Sequence, residues 1–246
     1  MNSAVKTNNR KKRSSNDTRE KIIDAAEIEF SKKGFEPCSL RTISDFHGIN
    51  LGLIHYYFGG KESLFSEVFL RRSTALVNRR NQLLSDALRE SKDSPLPIDK
   101  IITCFLKPSV EMIKEGEGPK AYIRLQVLVR ADTSDFARRL RSQAFGASNN
   151  IFIRELTRSC PHLPPTSVVW RFSAMVGAFI HFISQTTRVN ELSGGLANSD
   201  DIDAAFAEVV PFATGGFEAP PPISNQAVKS AAQPAPRRKR VAKSSS

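Results

Sequence analysis

The stretch SLRTISDFHGINLGLIHYYF, residues 39–58, decides how the chain is read. Leu40, Ile43 and Phe46 recur at helical spacing as the expected buried side of a short helix behind Ser39, whose hydroxyl suits an N-cap. His47-Gly48-Ile49-Asn50 forms a tight turn, and residues 51–58 resume as a short helix that Gly59-Gly60 breaks. Upstream, Ile22, Ile23, Ala26 and Phe30 mark one face of a helix that Asp17 or Thr18 can cap and Gly34 ends. Three short helices, the last two joined by a four-residue turn containing glycine, are the layout of a helix-turn-helix. Leu40 and Ile43 can pack on Ile49 and Ile54 around the turn, while the Ile22/Ile23/Ala26/Phe30 face closes the small core. In such a unit the last helix brings its N-terminal end to base edges in the major groove, here with Asn50, Leu51, Gly52 and Leu53. His55, Tyr56, Tyr57 and Lys61 supply hydrogen-bond donors near its other end, where phosphates lie.

From Thr18 to about Phe69 the chain resembles the tetracycline-repressor (TetR) family of one-component bacterial regulators. The matching features are TR-x-x-I-I-x-A-A at 18–26, Phe30, Gly34-Phe35, Ser39-Leu40-Arg41 with Ile43, and Gly48-Ile49. They continue through Gly52-Leu53-Ile54-His55-Tyr56-Tyr57-Phe58 to Lys61-Glu62-Ser63-Leu64. The resemblance implies an all-α fold, with an N-terminal three-helix head and a larger helical C-terminal domain that dimerises and holds an effector. It also implies that Arg41 reaches a base or phosphate from the second helix, beside the capping Ser39. By the same carry-over Leu51, Gly52 and Leu53 fall at base-reading positions, and Tyr56, Tyr57 and Lys61 at phosphate-contacting ones. Two features depart from the family pattern. Phe46-His47 stands where many members carry alanine before the turn glycine, and the side chains at 51–53 offer little polar readout. Specificity would then lean on Arg41, Asn50, thymine-methyl contacts and DNA shape.

Charge is distributed unevenly around this unit. The 246 residues carry a formal net charge of +11. Residues 1–17 hold Lys6, Arg10, Lys11, Lys12 and Arg13 against Asp17, and residues 218–246 hold six basic side chains against Glu218. The head is balanced, its basic residues from Arg19 to Arg72 matched by as many carboxylates. The excess therefore sits at the two ends, where it governs long-range attraction to a polyanion and salt dependence more than site choice. The expected organisation is a disordered basic arm at 1–17, a helix-turn-helix domain at 18–60 and a helical ligand-binding and dimerisation domain at 61–217. A disordered basic Pro/Ala-rich tail follows at 218–246, its composition unsuited to a core. Arg10–Arg13 are placed to touch phosphates or the minor groove.

Beyond the head the periodicity stays helical, with a long helix from Lys61 to about residue 91 and further helices at 96–115, 119–131, 134–159, 165–191 and 200–214. Cys38, Cys104 and Cys160 are too far apart for a zinc ribbon and read as small buried hydrophobes. No metal or cofactor is expected. The N-terminus lacks an apolar signal segment, and the charge-free run 172–187 is shorter than the roughly 20 residues a spanning helix needs. A cytoplasmic protein with no membrane partner is expected. Gly116-Glu117-Gly118-Pro119-Lys120 lacks P-loop spacing, and His47 and His55 fall inside the head, so the chain does not read as an enzyme.

Within 61–217, Phe105, Met112, Ile113, Leu125, Leu128, Phe145, Phe152 and Phe179 can either line an effector cavity or fill ordinary core. In 165–191 one stripe holds Phe172, Met175, Val176, Phe179 and Ile183; a second holds Trp170, Ala174, Gly177, His181 and Ser184, small at its centre. The second stripe fits a dimer interface, or else a helix buried wholly within one subunit. The stretch 163–196 is also similar to members that respond to fatty acids or their thioesters. These features predict a homodimeric transcription regulator, a repressor, that binds a palindromic double-stranded DNA operator and is released by a small-molecule effector. The alternative is an effector-independent nucleoid-associated DNA-binding protein.

Overall fold

A computed structural model describes residues 2–184 and 187–222, with side chains from Asn16 onward. Among the described residues there are ten α-helices and no strand. They are α1 (Asn2–Lys33), α2 (Leu40–His47), α3 (Leu51–Phe58), α4 (Lys61–Glu90) and α5 (Ile98–Ile113), then α6 (Glu117–Ala131), α7 (Asp135–Ser159), α8 (Pro165–Ile183), α9 (Arg188–Ser193) and α10 (Ile202–Glu218).

The head closes as its apolar spacing dictates. Ile22, Ile23, Ala26 and Phe30 of α1 are buried together with Ile43, Ile54 and Phe58. Each fully buried Ile or Phe contributes roughly 1.5–3 kcal/mol of transfer free energy, so this small cluster can hold three short helices. Phe30 and Phe65 meet edge-on at 4.9 Å, and the cluster thereby continues into the first turns of α4. α4 belongs to both parts of the molecule, packing against α1 at its start and against α5 and α7 further along. α5 is the central helix: Ile101, Ile102, Phe105, Leu106 and Val110 are all buried, with α4 and α10 packed against it. It runs unbroken through Pro108.

Several boundaries differ from the sequence expectation. Residues 2–17, expected as a disordered arm, continue α1 toward the N-terminus, so neither Asp17 nor Thr18 caps it. Adding residues to an existing helix gains a hydrogen bond each without a new nucleation cost. The expected helix 165–191 is two: α8 stops at Ile183, where its buried stripe ends, and α9 resumes at Arg188. α10 extends past 214 to Glu218 because Val209, Ala213 and Phe217 prolong one buried stripe across Gly215 and Gly216. Arg171 of α8 secures that end by donating to the carbonyls of Gly216, Phe217, Ala219 and Pro220. The basic tail beyond Pro222 and the side chains of the basic arm lie outside the described residues.

α8 satisfies the length and hydropathy of a membrane-crossing helix once its first residues, which include Arg171, are counted with the charge-free run. One of its faces is buried on the chain's own core.

Candidate nucleic-acid interface

The turn between α2 and α3 is built from backbone and side-chain hydrogen bonds that fix the angle of α3. Ser39 caps α2, its Oγ accepting from the Thr42 amide at 3.0 Å. Gly48 ends the helix at φ 62°, in the left-handed region that glycine enters at little cost. The Ile49 amide donates back to Ser44 O at 3.1 Å, while Ser44 Oγ donates to Ile49 O at 2.7 Å. Asn50 then caps α3, accepting from the Gly52 amide at 2.7 Å. A Cβ on residue 52 would lie 3.0 Å from that Asn50 oxygen, so Gly52 lets the cap approach.

The residues predicted to meet DNA divide by exposure. Arg41, Asn50, Gly52, Leu53, His55 and Tyr56 are solvent-exposed, on the outer side of α2, the turn and α3. Arg41 is joined only loosely to Asp45, at 3.8 Å, and exposed pairs of this kind contribute about 1 kcal/mol or less. Its guanidinium is therefore available to another anion. Tyr56 is 79% exposed and packs edge-on against the Tyr57 ring at 5.1 Å, and Leu53 is 40% exposed. Leu51 and Tyr57 are half-buried against the head core. Ser39 and the carbonyl of Asn50 serve as caps, leaving the Asn50 amide nitrogen as its outward group. His55 Nδ1 lies 3.2 Å from Gly59 O. Lys61 folds back, donating to Glu36 O at 3.0 Å with its ammonium 4.4 Å from the Phe35 ring centre.

Phe46 is 73% exposed beneath the Lys33 ammonium, 5.1 Å from its ring centre, although its spacing predicted a buried side chain. Its neighbour His47 turns inward to Glu29, 3.4 Å away. Glu29 is buried, which disfavours its charge, yet hydrogen bonds from Lys32 and His47 and the Lys32 and Lys33 charges hold its carboxyl below the ordinary 4.5.

Behind the head lies a charge knot. Glu27 of α1, 2% exposed, accepts from Arg71 Nη2 at 2.8 Å and from Arg72 Nε at 3.0 Å. Arg71 also reaches Asp24 at 2.7 Å and Glu20 at 3.2 Å. Burial opposes the Arg71 charge, but these carboxylates outweigh it and raise the guanidinium above its usual value. Gly118, near the start of α6, leaves room for this knot: a Cβ there would lie 2.6 Å from Arg72 Nη2.

In the C-terminal part, Phe105, Phe145 and Phe179 come together around a small internal cavity. Ile113, Met112, Leu125 and Phe152 are ordinary buried core, and Leu128 is partly exposed near Gly34. The cavity's polar lining (Arg80, Ser109, Gln126, Arg130 and Asn149) was not anticipated. Its trace in the sequence is one charge on an apolar stripe, Arg80 between Leu76 and Leu84 at i+4 spacing. Of the second stripe on α8, Trp170, Ala174, Gly177 and His181 are exposed and Ser184 is half-buried. Trp170 is 78% exposed, so the reading of α8 as a helix buried on all sides within one subunit does not hold. Val169 and Phe212 add further exposed apolar area on α8 and the adjoining α10. The three cysteines are free and buried, and burial raises each thiol above its ordinary value, which disfavours the reactive thiolate.

Comparison with known proteins agrees with this architecture. Residues 22–68 match the family described as bacterial regulatory proteins of the tetR family. Residues 103–216 match the tetracyclin repressor-like C-terminal domain. The chain is 29% identical over 99 residues to the HTH-type transcriptional repressor BdcR of Escherichia coli (strain K12), covering 40% of this chain and 46% of that one. It is 34% identical over 77 residues to the probable HTH-type transcriptional regulator YttP of Bacillus subtilis (strain 168), covering 30% and 37%. The match thus spans less than half the length of either curated relative. Among solved structures, the fatty acid degradation regulator FadR of Bacillus halodurans superposes with a TM-score of 0.58 at 14% identity, covering 81% of this chain and 95% of that one. A TetR-like transcriptional regulator from Rhodococcus sp. RHA1 gives 0.52 at 19% identity, covering 82% and 96%. With its capped helix-turn-helix, its helical C-terminal part and matches to both halves, the chain belongs to the TetR family.

Proposed function

We propose that the chain is a DNA-binding transcription regulator, a repressor, that works in the cytoplasm as a homodimer and releases its operator when a small molecule binds the C-terminal part. The observation that carries this reading is the outer surface of α2 and α3, where Arg41, Leu53 and Tyr56 stand exposed on a turn fixed by Gly48 and two caps. Leu53 suits a thymine methyl, and Arg41 and Tyr56 suit a base edge or phosphates. The relatives named above as regulators support the same role. The exposed apolar face of α8 and α10, centred on Trp170 and Phe212, supports pairing of two copies through a four-helix contact. Two heads so joined would enter successive major grooves about one helical turn apart. The FadR neighbour is named for fatty acid degradation, and a lipophilic acid or acyl thioester is the effector class this reading favours.

Competition binding tests the proposal. A fluorescent palindrome selected from random sequence by the purified protein should be displaced by itself roughly a thousandfold more effectively than by scrambled duplex. Equal displacement by both would refute a site-specific regulator and favour the nucleoid-associated alternative.

A further inference from the structure

Arg80 lies where a charge is costly. The stripe Ser73, Leu76, Arg80, Leu84 and Ala87 is the buried face of α4, and it leaves Arg80 only 6% exposed. Its guanidinium sits 3.9 Å from the centre of the Phe105 ring, and Nη2 donates to Ser109 Oγ at 3.0 Å. Nε is buried and bonded to nothing, and among the described residues no carboxylate lies within ion-pair distance of the group. Burial, only partly countered by Tyr122, lowers the guanidinium to about 10, and Arg130 adds repulsion; at neutral pH it remains charged. A charge in that position, without a counter-ion, costs several kcal/mol. Natural cores rarely retain such a group unless something pairs with it.

The cavity beside Arg80 shows what kind of partner fits. Gln126 Nε2 is also buried without a bond, and Asn149 and Ser109 add further polar lining. Phe105, Phe145, Val176, Phe179, Ile180 and Ile183 supply the apolar remainder of the lining. The open room is about 20 Å³, enough for roughly one water, so any larger occupant must push α4, α5, α6, α7 and α8 apart.

We infer that Arg80 is the anchor for the carboxylate of an organic acid, which enters this cavity acid end first and lays its hydrocarbon part between Phe145, Val176 and Phe179. The guanidinium fork takes the carboxylate through Nε and a terminal nitrogen, and the Gln126 amide donates a further hydrogen bond. This rests on the effector reading above and narrows it to a free acid rather than a thioester, whose acyl carbonyl carries no charge for Arg80 to neutralise. The position also suits signalling. Arg80 is eight to nine residues, about 12–13 Å along α4, from Arg72 and Arg71, which grip Glu27 in the head. An occupant that displaces α4 at Arg80 therefore acts on the same rigid element that carries the head.

Titration calorimetry and thermal shift with decanoate, 1-decanol and a decanoyl thioester test the inference on the full chain. Wild type should bind decanoate, and the alcohol and thioester at least tenfold more weakly. Arg80→Met should fold with an unchanged or higher Tm, since an unpaired buried charge is replaced by an apolar side chain, and should lose decanoate affinity by roughly thirtyfold or more. Arg80→Lys and Gln126→Leu give intermediate losses and keep the test open if the Met variant fails to fold. Decanoate bound equally by wild type and Arg80→Met, or decanol bound as tightly as decanoate by wild type, would overturn the inference. So would a wild type that selects its palindrome but whose Tm is raised by no carboxylate from hexanoate to palmitate or by phenylacetate; that result leaves the regulator standing. Loss of palindrome selectivity alone would count against the regulator and not against the acid site.

Discussion

Replacing Glu27 by alanine should loosen the joint between the head and α4, and the structure sets the size of the effect. Glu27 is 2% exposed and is the sole carboxylate within ion-pair reach of Arg72 among the described residues, whereas Arg71 keeps Asp24 and Glu20. Removing one partner of a buried pair costs roughly 3–5 kcal/mol because the other charge is stranded. Arg72 retains about a quarter of its side-chain exposure and can recruit water, which reduces the expectation to about 2–3 kcal/mol. In a chain of this length 1 kcal/mol corresponds to about 2–4 °C in Tm, so the loss should be roughly 4–12 °C. The control is Glu67→Ala. Its pair with Arg19 is shorter, 2.6 Å, but about half of the Glu67 side chain is exposed, and such a pair contributes about 1 kcal/mol or less. Thermal and guanidinium denaturation followed by far-UV circular dichroism would read both. Equal shifts for the two variants, or a larger one for Glu67→Ala, would refute the premise that burial rather than distance sets the worth of these pairs.

Three further outcomes are expected. The depressed Glu29 carboxyl contributes stability that is present above its unfolded value near 4.5 and disappears as pH falls through the lower folded value; Glu29→Gln should flatten the acid limb of a Tm-against-pH curve while costing stability at neutral pH, and an unchanged acid limb would contradict this. Gly48→Ala forces a side chain into the left-handed turn at φ 62° and should cost about 1–2 kcal/mol in denaturation, although open space surrounds the added methyl group. Trp170→Glu places a charge at the centre of the exposed α8 face, and sedimentation velocity should show monomers where wild type sediments as a dimer; a variant that stays dimeric would move the interface elsewhere.

How far the chain could be read in advance follows from the range of the forces involved. Helix periodicity, the Ser39 and Asn50 caps, the Gly34 and Gly48 stops and the turn between them depend on residues a few positions apart, and such signals are written in consecutive residues. Helix ends were less legible. α10 runs on because Phe217 finds a place in the core and Arg171 reaches its carbonyls from another helix, and neither contact is local.

The linear order of residues was enough to determine an all-helical chain whose head is a helix-turn-helix with Arg41, Leu53 and Tyr56 on its outer surface. Tertiary packing decided the rest. It turned Phe46 outward and His47 toward Glu29, committed Lys61 to Glu36, and separated Phe105, Phe145 and Phe179 at the cavity from Phe152 in plain core. It also enclosed Arg80 with no carboxylate at ion-pair distance among the described residues. The surroundings of Arg80 are a property of five helices closing together, and the energetic cost of a buried charge appears only when distant segments have excluded water from it.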